Sequence, residues 1–164
     1  MPDDLNELIH TYGEKMLRYA TSVLCNHHDA EDTVQDVFLF IYHNPDRFKG
    51  GNFNAWIYKL TYNRCIDKLR RRKFLFVEDV KKEVDSLISP EQVAISEDVL
   101  SALSQLKPMD RALVYGKVVE GYSYAELSEQ MGKTQQSLRK RYERAKQKLH
   151  GYLIDKTTNT MTVF

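Results

Sequence analysis

Cysteine, glycine and proline are scarce in this chain, and tryptophan occurs once. The two cysteines among its 164 residues, Cys25 and Cys65, stand at no metal-ligand spacing and cannot frame a disulfide scaffold. A reduced, cytosolic setting is therefore expected. With only seven glycines and four prolines, and no stretch that alternates apolar and polar residues, the chain offers few hairpin turns and no strand pattern. An all-α fold is expected. No run of ~18 apolar residues exists, so no membrane-spanning helix is expected. The opening MPDDLNELIH is acidic and lacks the apolar core of a secretory signal. Catalytic signals are missing too. His10, His27, His28, His43 and His150 show no metal-ligand spacing, and Cys25 beside His27 and His28 lacks a fourth partner. There is no phosphate-cradling glycine loop and no nucleophile motif. The expectation is a protein that is not an enzyme and uses no metal, cofactor or small-molecule substrate.

What is present is charge arranged in blocks. The formal net charge of +1 is the balance of four segments: residues 1–58 at −5, residues 59–74 at +6, residues 75–98 at −5 and residues 99–164 at +5. Two basic patches thus sit beside acidic sequence. Basic patches favour polyphosphate by releasing its counterions, and acidic surface resists non-specific attachment. Charge alone leaves solvated helix faces as an equal alternative.

Apolar periodicity divides the chain into helices. Leu5, Leu8, Ile9, Tyr12, Met16, Leu17, Tyr19, Ala20 and Val23 recur at three-to-four spacing, which predicts a helix over about 4–25. His27–His28–Asp29 breaks that pattern. A second helix is expected from Asp29 to Tyr42, with Asp29, Glu31 and Asp32 in the first turn, where the helix dipole favours negative charge. Pro45 and Gly50–Gly51 mark a loop. A third helix follows over about 52–73 and ends in Arg70–Arg71–Arg72–Lys73. These three form one helical bundle, domain 1–74. An acidic linker follows, in which FLFV at 74–77 is the apolar exception. Ser89-Pro90-Glu91-Gln92 has the form of a capping box opening a helix to Leu106, and Pro108 starts another through Val119. Ser123-Tyr124-Ala125-Glu126 repeats the capping box, Gly132 supplies a turn, and Thr134 caps a helix over about 135–152. Helix, glycine turn and basic helix make a helix-turn-helix in a second domain, 99–154. The tail from residue 155 is expected to fray.

The second helix of such a motif enters the major groove. Arg139 and Arg144 suit bidentate guanine contacts, Gln135 and Gln136 adenine or phosphate, and Lys133, Ser137 and Lys140 the phosphate backbone. In the first domain, Phe48, Phe53, Trp56, Tyr58 and Tyr62 lie close in sequence to Lys49, Lys59, Arg64 and the Arg70–Lys73 run, which includes Arg71. Unpaired bases stack on aromatic rings while cations hold the backbone. Taken singly, Phe53 and Trp56 fit plain core positions as well. Asp29, Glu31, Asp32, Gln35 and Asp36 form either an acidic docking face or a solvated one.

DAEDTVQDVF at 29–38, followed by DRFKGGNFNAWIYKLTYNRCIDKLRRRK at 46–73, resembles region 2 of the extracytoplasmic-function (ECF) sigma factors of the sigma-70 family. LSALSQLKPMDRALVYGKVVEGYSYAELSEQMGKTQQSLRKRYERAKQKLHGYL at 100–153 resembles their region 4. The resemblance implies two helical domains joined by the acidic linker over 75–98, and a subunit that binds core RNA polymerase and promoter DNA. It implies that the Asp29–Phe38 helix, with Phe38 included, docks on the coiled coil of the polymerase β′ subunit. The loop from Phe48 through Lys49, Asn52 and Phe53 to Asn54, with Asn63 and Asp67, is implied to read a −10-type element from which a base is flipped. Arg139, Lys140, Glu143 and Arg144 are implied to face a −35-type element, while the same domain contacts the polymerase β flap. The linker would thread toward the RNA exit path, and an anti-sigma factor would be a further partner. Three positions depart from the family's pattern: Ser128 replaces a common alanine, Lys133 a common apolar residue, and Glu143 carries negative charge in the DNA-facing row.

Three other readings compete. A stand-alone helix-turn-helix regulator needs a dimerisation helix, and none is evident. A sigma mimic that titrates a partner would keep the acidic helix but lose the basic one. An enzyme has the least support.

Overall fold

The structure, a computed structural model, describes residues 1–72 and 95–162, with the backbone alone described for 158–162. Among the described residues there are seven α-helices and one 3₁₀ turn, and no strand. The all-α expectation holds. The chain divides into two compact units, Met1–Ile95 and Ser96–Phe164. The acidic sequence at 75–88, FLFV at 74–77 and the proposed capping box at 89–92 lie outside the described residues.

In the first unit, α1 (Leu5–Leu24) starts on Asp4, whose carboxylate accepts from the Glu7 N–H at 2.8 Å, while Glu7 accepts from the Asp3 N–H at 2.8 Å. Two orphan donors are satisfied by two side chains. The helix stops where Cys25 turns left-handed at φ 51 and donates its N–H to the Thr21 carbonyl at 2.7 Å. Asn26 at once caps α2 (His27–His43), accepting from the Asp29 N–H at 2.9 Å. The first helix's pattern does end before His27–His28–Asp29, but these residues are already the first turn of the second helix, so α2 begins two residues earlier than the expected Asp29. A two-residue link makes α1 and α2 an antiparallel pair. After the 3₁₀ turn Pro45–Arg47, Gly50 and Gly51 take φ 96 and 93, values that side chains resist. Asn52 then caps α3 (Phe53–Arg72) by accepting from the Ala55 N–H at 3.1 Å.

The core of this bundle is Met16, Tyr19, Ala20 and Val23 from α1, Val34, Val37 and Phe38 from α2, and Ile57, Tyr58 and Cys65 from α3. Thr61, fully buried on α3, donates to the Ile57 carbonyl at 2.8 Å and lies 3.3 Å from the Met16 sulfur. Its hydroxyl is therefore satisfied inside the apolar interior.

The second unit contains α4 (Glu97–Ser104), α5 (Pro108–Val118), α6 (Tyr124–Met131) and α7 (Gln135–Thr162). Ser96 caps α4, accepting from the Val99 N–H at 3.4 Å. Leu103, Leu106, Leu113, Leu127, Leu138 and Ala145 meet in a second core. Asp110 on α5 accepts from Arg141 Nε on α7 at 3.0 Å, a charge-assisted tie across the bundle. The frayed tail expected from residue 155 is corrected here. α7 continues through Thr162, and Lys156 donates to Asp98 on α4 at 2.7 Å.

Candidate nucleic-acid interface

The helix-turn-helix of the second unit is built from local bonds. The Ser123 N–H donates to Glu126 Oε2 at 2.8 Å and the Glu126 N–H to Ser123 Oγ at 3.2 Å, a complete capping box that fixes the start of α6. Gly132 ends α6 at φ 66, where a side chain would be strained, and donates its N–H to the Ser128 carbonyl at 3.0 Å. Ser128, one of the three departures, has a use: its hydroxyl donates to the Lys133 carbonyl at 2.5 Å, across the turn. Thr134 accepts from the Ser137 N–H at 3.1 Å and opens α7.

On α7, Leu138 and Ala145 face the core while Gln136, Arg139, Lys140 and Glu143 are exposed. The latter share one side at i, i+3, i+4 and i+7. Arg144, Gln135 and Lys133 are also exposed, and Ser137 is half-buried. Glu143, the acid in this row, lies 3.4 Å from Lys146 Nζ, which offsets its charge. Arg141 is turned back onto Asp110 and is not part of the outer face. One residue escapes a reading confined to α7. Tyr124, the first residue of α6, has its ring 5.2 Å from the Arg139 guanidinium carbon and 4.4 Å from Lys117 Nζ. An aromatic residue inside a capping signature was the only hint of it.

In the first unit the loop before α3 is held by rings. Phe48 packs against Phe53 at 5.2 Å and Trp56 at 5.3 Å, and Tyr12 meets Phe53 edge-on at 5.4 Å. This anchors the exposed stretch Lys49, Gly50, Gly51 and Asn52, beside half-buried Asn54. Asn63, Asp67 and Arg70 line the exposed side of α3 in register with half-buried Trp56, and Arg71 is exposed beside them. Asp67 and Arg70 lie 3.9 Å apart. Phe53, at 8% exposure, and Phe38, at 6%, are corrections: both side chains are core, so neither offers a contact surface. Phe53 anchors the loop instead, and Phe38 packs α2 into the bundle.

The acidic face of α2 is not bare. Lys68 Nζ lies 3.5 Å from Asp32 and 3.8 Å from Asp29, and Arg72 pairs directly with Asp29. Arg64 lies over the Phe40 ring at 5.0 Å. One stripe of α3, at i, i+4 and i+8, is therefore turned onto α2, and burial lowers the Arg72 pKa from its ordinary value. Glu31 is bridged by His27 at 2.9 Å, and His28 lies 3.8 Å from Asp32. Gln35, Asp36 and Leu39 are exposed along the same helix.

Among the described residues no group of His, Cys, Asp and Glu is gathered as a metal site would require, and no helix is long and apolar enough to cross a membrane. Burial pushes the Cys65 thiol up to about 12, which makes it unreactive.

A two-unit helical protein with an exposed basic helix-turn-helix in one unit and an aromatic-anchored loop in the other belongs to the class of multi-domain nucleic-acid-binding proteins. Comparison with known families narrows this. Residues 8–74 match the model of Sigma-70 region 2, and residues 96–149 match Sigma-70, region 4. The ECF RNA polymerase sigma factor SigE of Mycolicibacterium smegmatis is 29% identical over 94% of this chain and 63% of its own length. SigW of Bacillus subtilis is 26% identical over 93% of this chain and 90% of its own. Among solved structures, the sigma factor RpoE in complex with the anti-sigma factor NepR from Bartonella quintana superposes at a TM-score of 0.72, with 23% identity over 93% of this chain and 98% of that one. CnrH in complex with the cytosolic domain of CnrY gives 0.69, with 24% identity over 92% and 88%. The chain belongs to the ECF group of the sigma-70 family and is a promoter-directing RNA polymerase sigma factor.

Proposed function

We propose that the two units divide promoter recognition between them while the first also docks on the polymerase. In this reading the exposed row of α7, from Gln135 and Gln136 through Arg139, Lys140, Glu143 and Arg144, reads a −35-type duplex, with Lys133 and Ser137 on phosphates. The ring-anchored loop at 48–54, with Trp56, Asn63 and Asp67, takes a base flipped from a −10-type element, and Arg70 and Arg71 hold the strand. Asp32, Gln35 and Asp36 on α2, with Asp29 and Glu31 behind them, dock on the β′ coiled coil, and the second unit meets the β flap. The chain itself is non-catalytic and works in the cytoplasm. The solved relatives bound to NepR and CnrY support an anti-sigma factor as a further partner.

One observation carries this reading. A single chain holds both an exposed basic reading helix and a separate loop whose aromatic anchor leaves Lys49 to Asn52 on the surface. A stand-alone regulator needs only the first, and a mimic that titrates a partner needs neither. The test is multi-round transcription by core RNA polymerase, with and without this protein, on a pooled promoter library. Discrete start sites that appear only with the protein, preceded by two shared sequence blocks, are expected. Core binding without new start sites would point to a mimic, and failure to bind core would point to a stand-alone regulator.

A further inference from the structure

The recognition helix does not hold its leading arginine unaided. Tyr124 lies at the first position of α6, where the Ser123–Glu126 capping box fixes its backbone. Its ring has Lys117 Nζ, from the last turn of α5, at 4.4 Å and the Arg139 guanidinium carbon at 5.2 Å. Tyr142, one turn along α7 from Arg139, approaches the same ring edge-on, with centroids 6.3 Å apart and planes at 72°. Three helices therefore converge on one half-buried ring.

The arrangement bears on specificity because of what an arginine must do in a groove. A bidentate contact to guanine requires the guanidinium plane in one orientation, and a free arginine side chain loses up to ~2 kcal/mol of rotamer entropy in taking it. A ring that already holds the cation by its quadrupole meets part of that cost before DNA arrives. We propose that Tyr124 is a specificity-determining positioning residue. Its ring holds Arg139 ready for a guanine of the upstream element, so that preference at one base pair depends on a side chain outside the recognition helix. This rests on the reading in which α7 faces that element. Lys117, brought to the same ring, adds positive charge beside that arginine.

The experiment is transcription by core polymerase reconstituted with the full chain, on a library randomised across the upstream element. It compares wild type, Arg139→Ala, Tyr124→Leu, Tyr124→Phe and the double variant Tyr124→Leu/Arg139→Ala. A sixth protein carries trifluorophenylalanine at position 124, which keeps the shape of a phenylalanine ring and weakens its hold on a cation. Arg139→Ala should flatten base preference at one position. Tyr124→Leu should flatten the same position and lower output on the best sequence by about threefold. The phenylalanine variant should resemble wild type, the fluorinated ring should fall between phenylalanine and leucine, and the double variant should match Arg139→Ala at that position. If Tyr124→Leu destabilises the second unit, the fluorinated ring decides. Flattening by Arg139→Ala, with the leucine and fluorinated variants either sharp or merely weaker on every sequence alike, would overturn the role of Tyr124. A profile that Arg139→Ala leaves unchanged everywhere would overturn the reading of α7 itself.

Discussion

In the first unit Arg64, Lys68 and Arg72 come to rest along α2, over Phe40, Asp32 and Asp29. In the second, Arg139, Lys140 and Arg144 of α7 are exposed, with Arg139 lying over the Tyr124 ring, and Arg141 of the same helix is turned inward, onto Asp110. The two segments look alike on paper, each a helix dense in cations. They differ in what the neighbouring helix offers. α2 presents two carboxylates and a ring to the stripe of α3 that faces it, so those cations serve the fold. Most of the cationic side of α7 faces no such acids, so its charge stays available to polyphosphate. Basic density therefore locates a nucleic-acid surface only after the intramolecular partners have been subtracted.

Substitutions in either unit test this contrast. Leu138→Ala, at a fully buried position of α7, should cost about 3 kcal/mol. The loss should appear in the melt of the second unit, while the fluorescence of Trp56, the lone tryptophan and a residue of the first unit, keeps its own transition. Arg72→Ala leaves Asp29, only 14% exposed, with Lys68 alone as a cation, and should destabilise the first unit by about 2 kcal/mol in urea titration. Arg139→Ala should do the reverse: an unchanged melt and promoter output lower by about tenfold. Gly116→Ala places a Cβ 2.6 Å from Leu127 Cδ2, and Leu127 is itself buried. It should cost about 1–2 kcal/mol by overpacking the α5–α6 contact.

The smallest effect concerns Cys65. Its thiol ionises near 9.0 when unfolded and at about 12 when folded. Because the folded value is raised, the stability it contributes is complete below pH 9.0 and is lost as pH rises toward 12. Alkaline titration should therefore weaken the first unit across that range. A thiol reagent at neutral pH should label half-buried Cys25 and reach Cys65 only in denaturant.

Features carried by neighbours in sequence were legible from the start. The Ser123–Glu126 box, the Gly132 turn and the Thr134 cap each involve residues within five positions of one another. What escaped depends on distant partners or on an unusual residue. The end of α7 was misplaced because its apolar stripe thins after Leu149, whereas the helix is tied at Lys156 to Asp98, far back in the chain. The α1–α2 link was misjudged because its left-handed residue is Cys25 where glycine would be the signal. Phe38 and Phe53 carry the same side chain as a base-stacking or docking residue, and only burial separates the roles. The commitment of Lys68 and Arg72 to Asp29 and Asp32 is a tertiary contact that no local pattern announces. The exposed row of α7 was therefore legible almost whole, and the surfaces of α2 and α3 only in outline.

The contrast between the two basic helices is tested most directly by the salt dependence of promoter binding by the reconstituted holoenzyme. Binding constants for wild type, Arg72→Gln and Lys140→Gln would be measured across a range of salt concentrations. A cation that neutralises a phosphate contributes about one unit to the slope of log K against log salt. Lys140→Gln should lower the slope by about one unit, and Arg72→Gln should leave it unchanged even where overall binding falls. A slope that drops for Arg72→Gln, or one that Lys140→Gln does not move, would contradict that contrast.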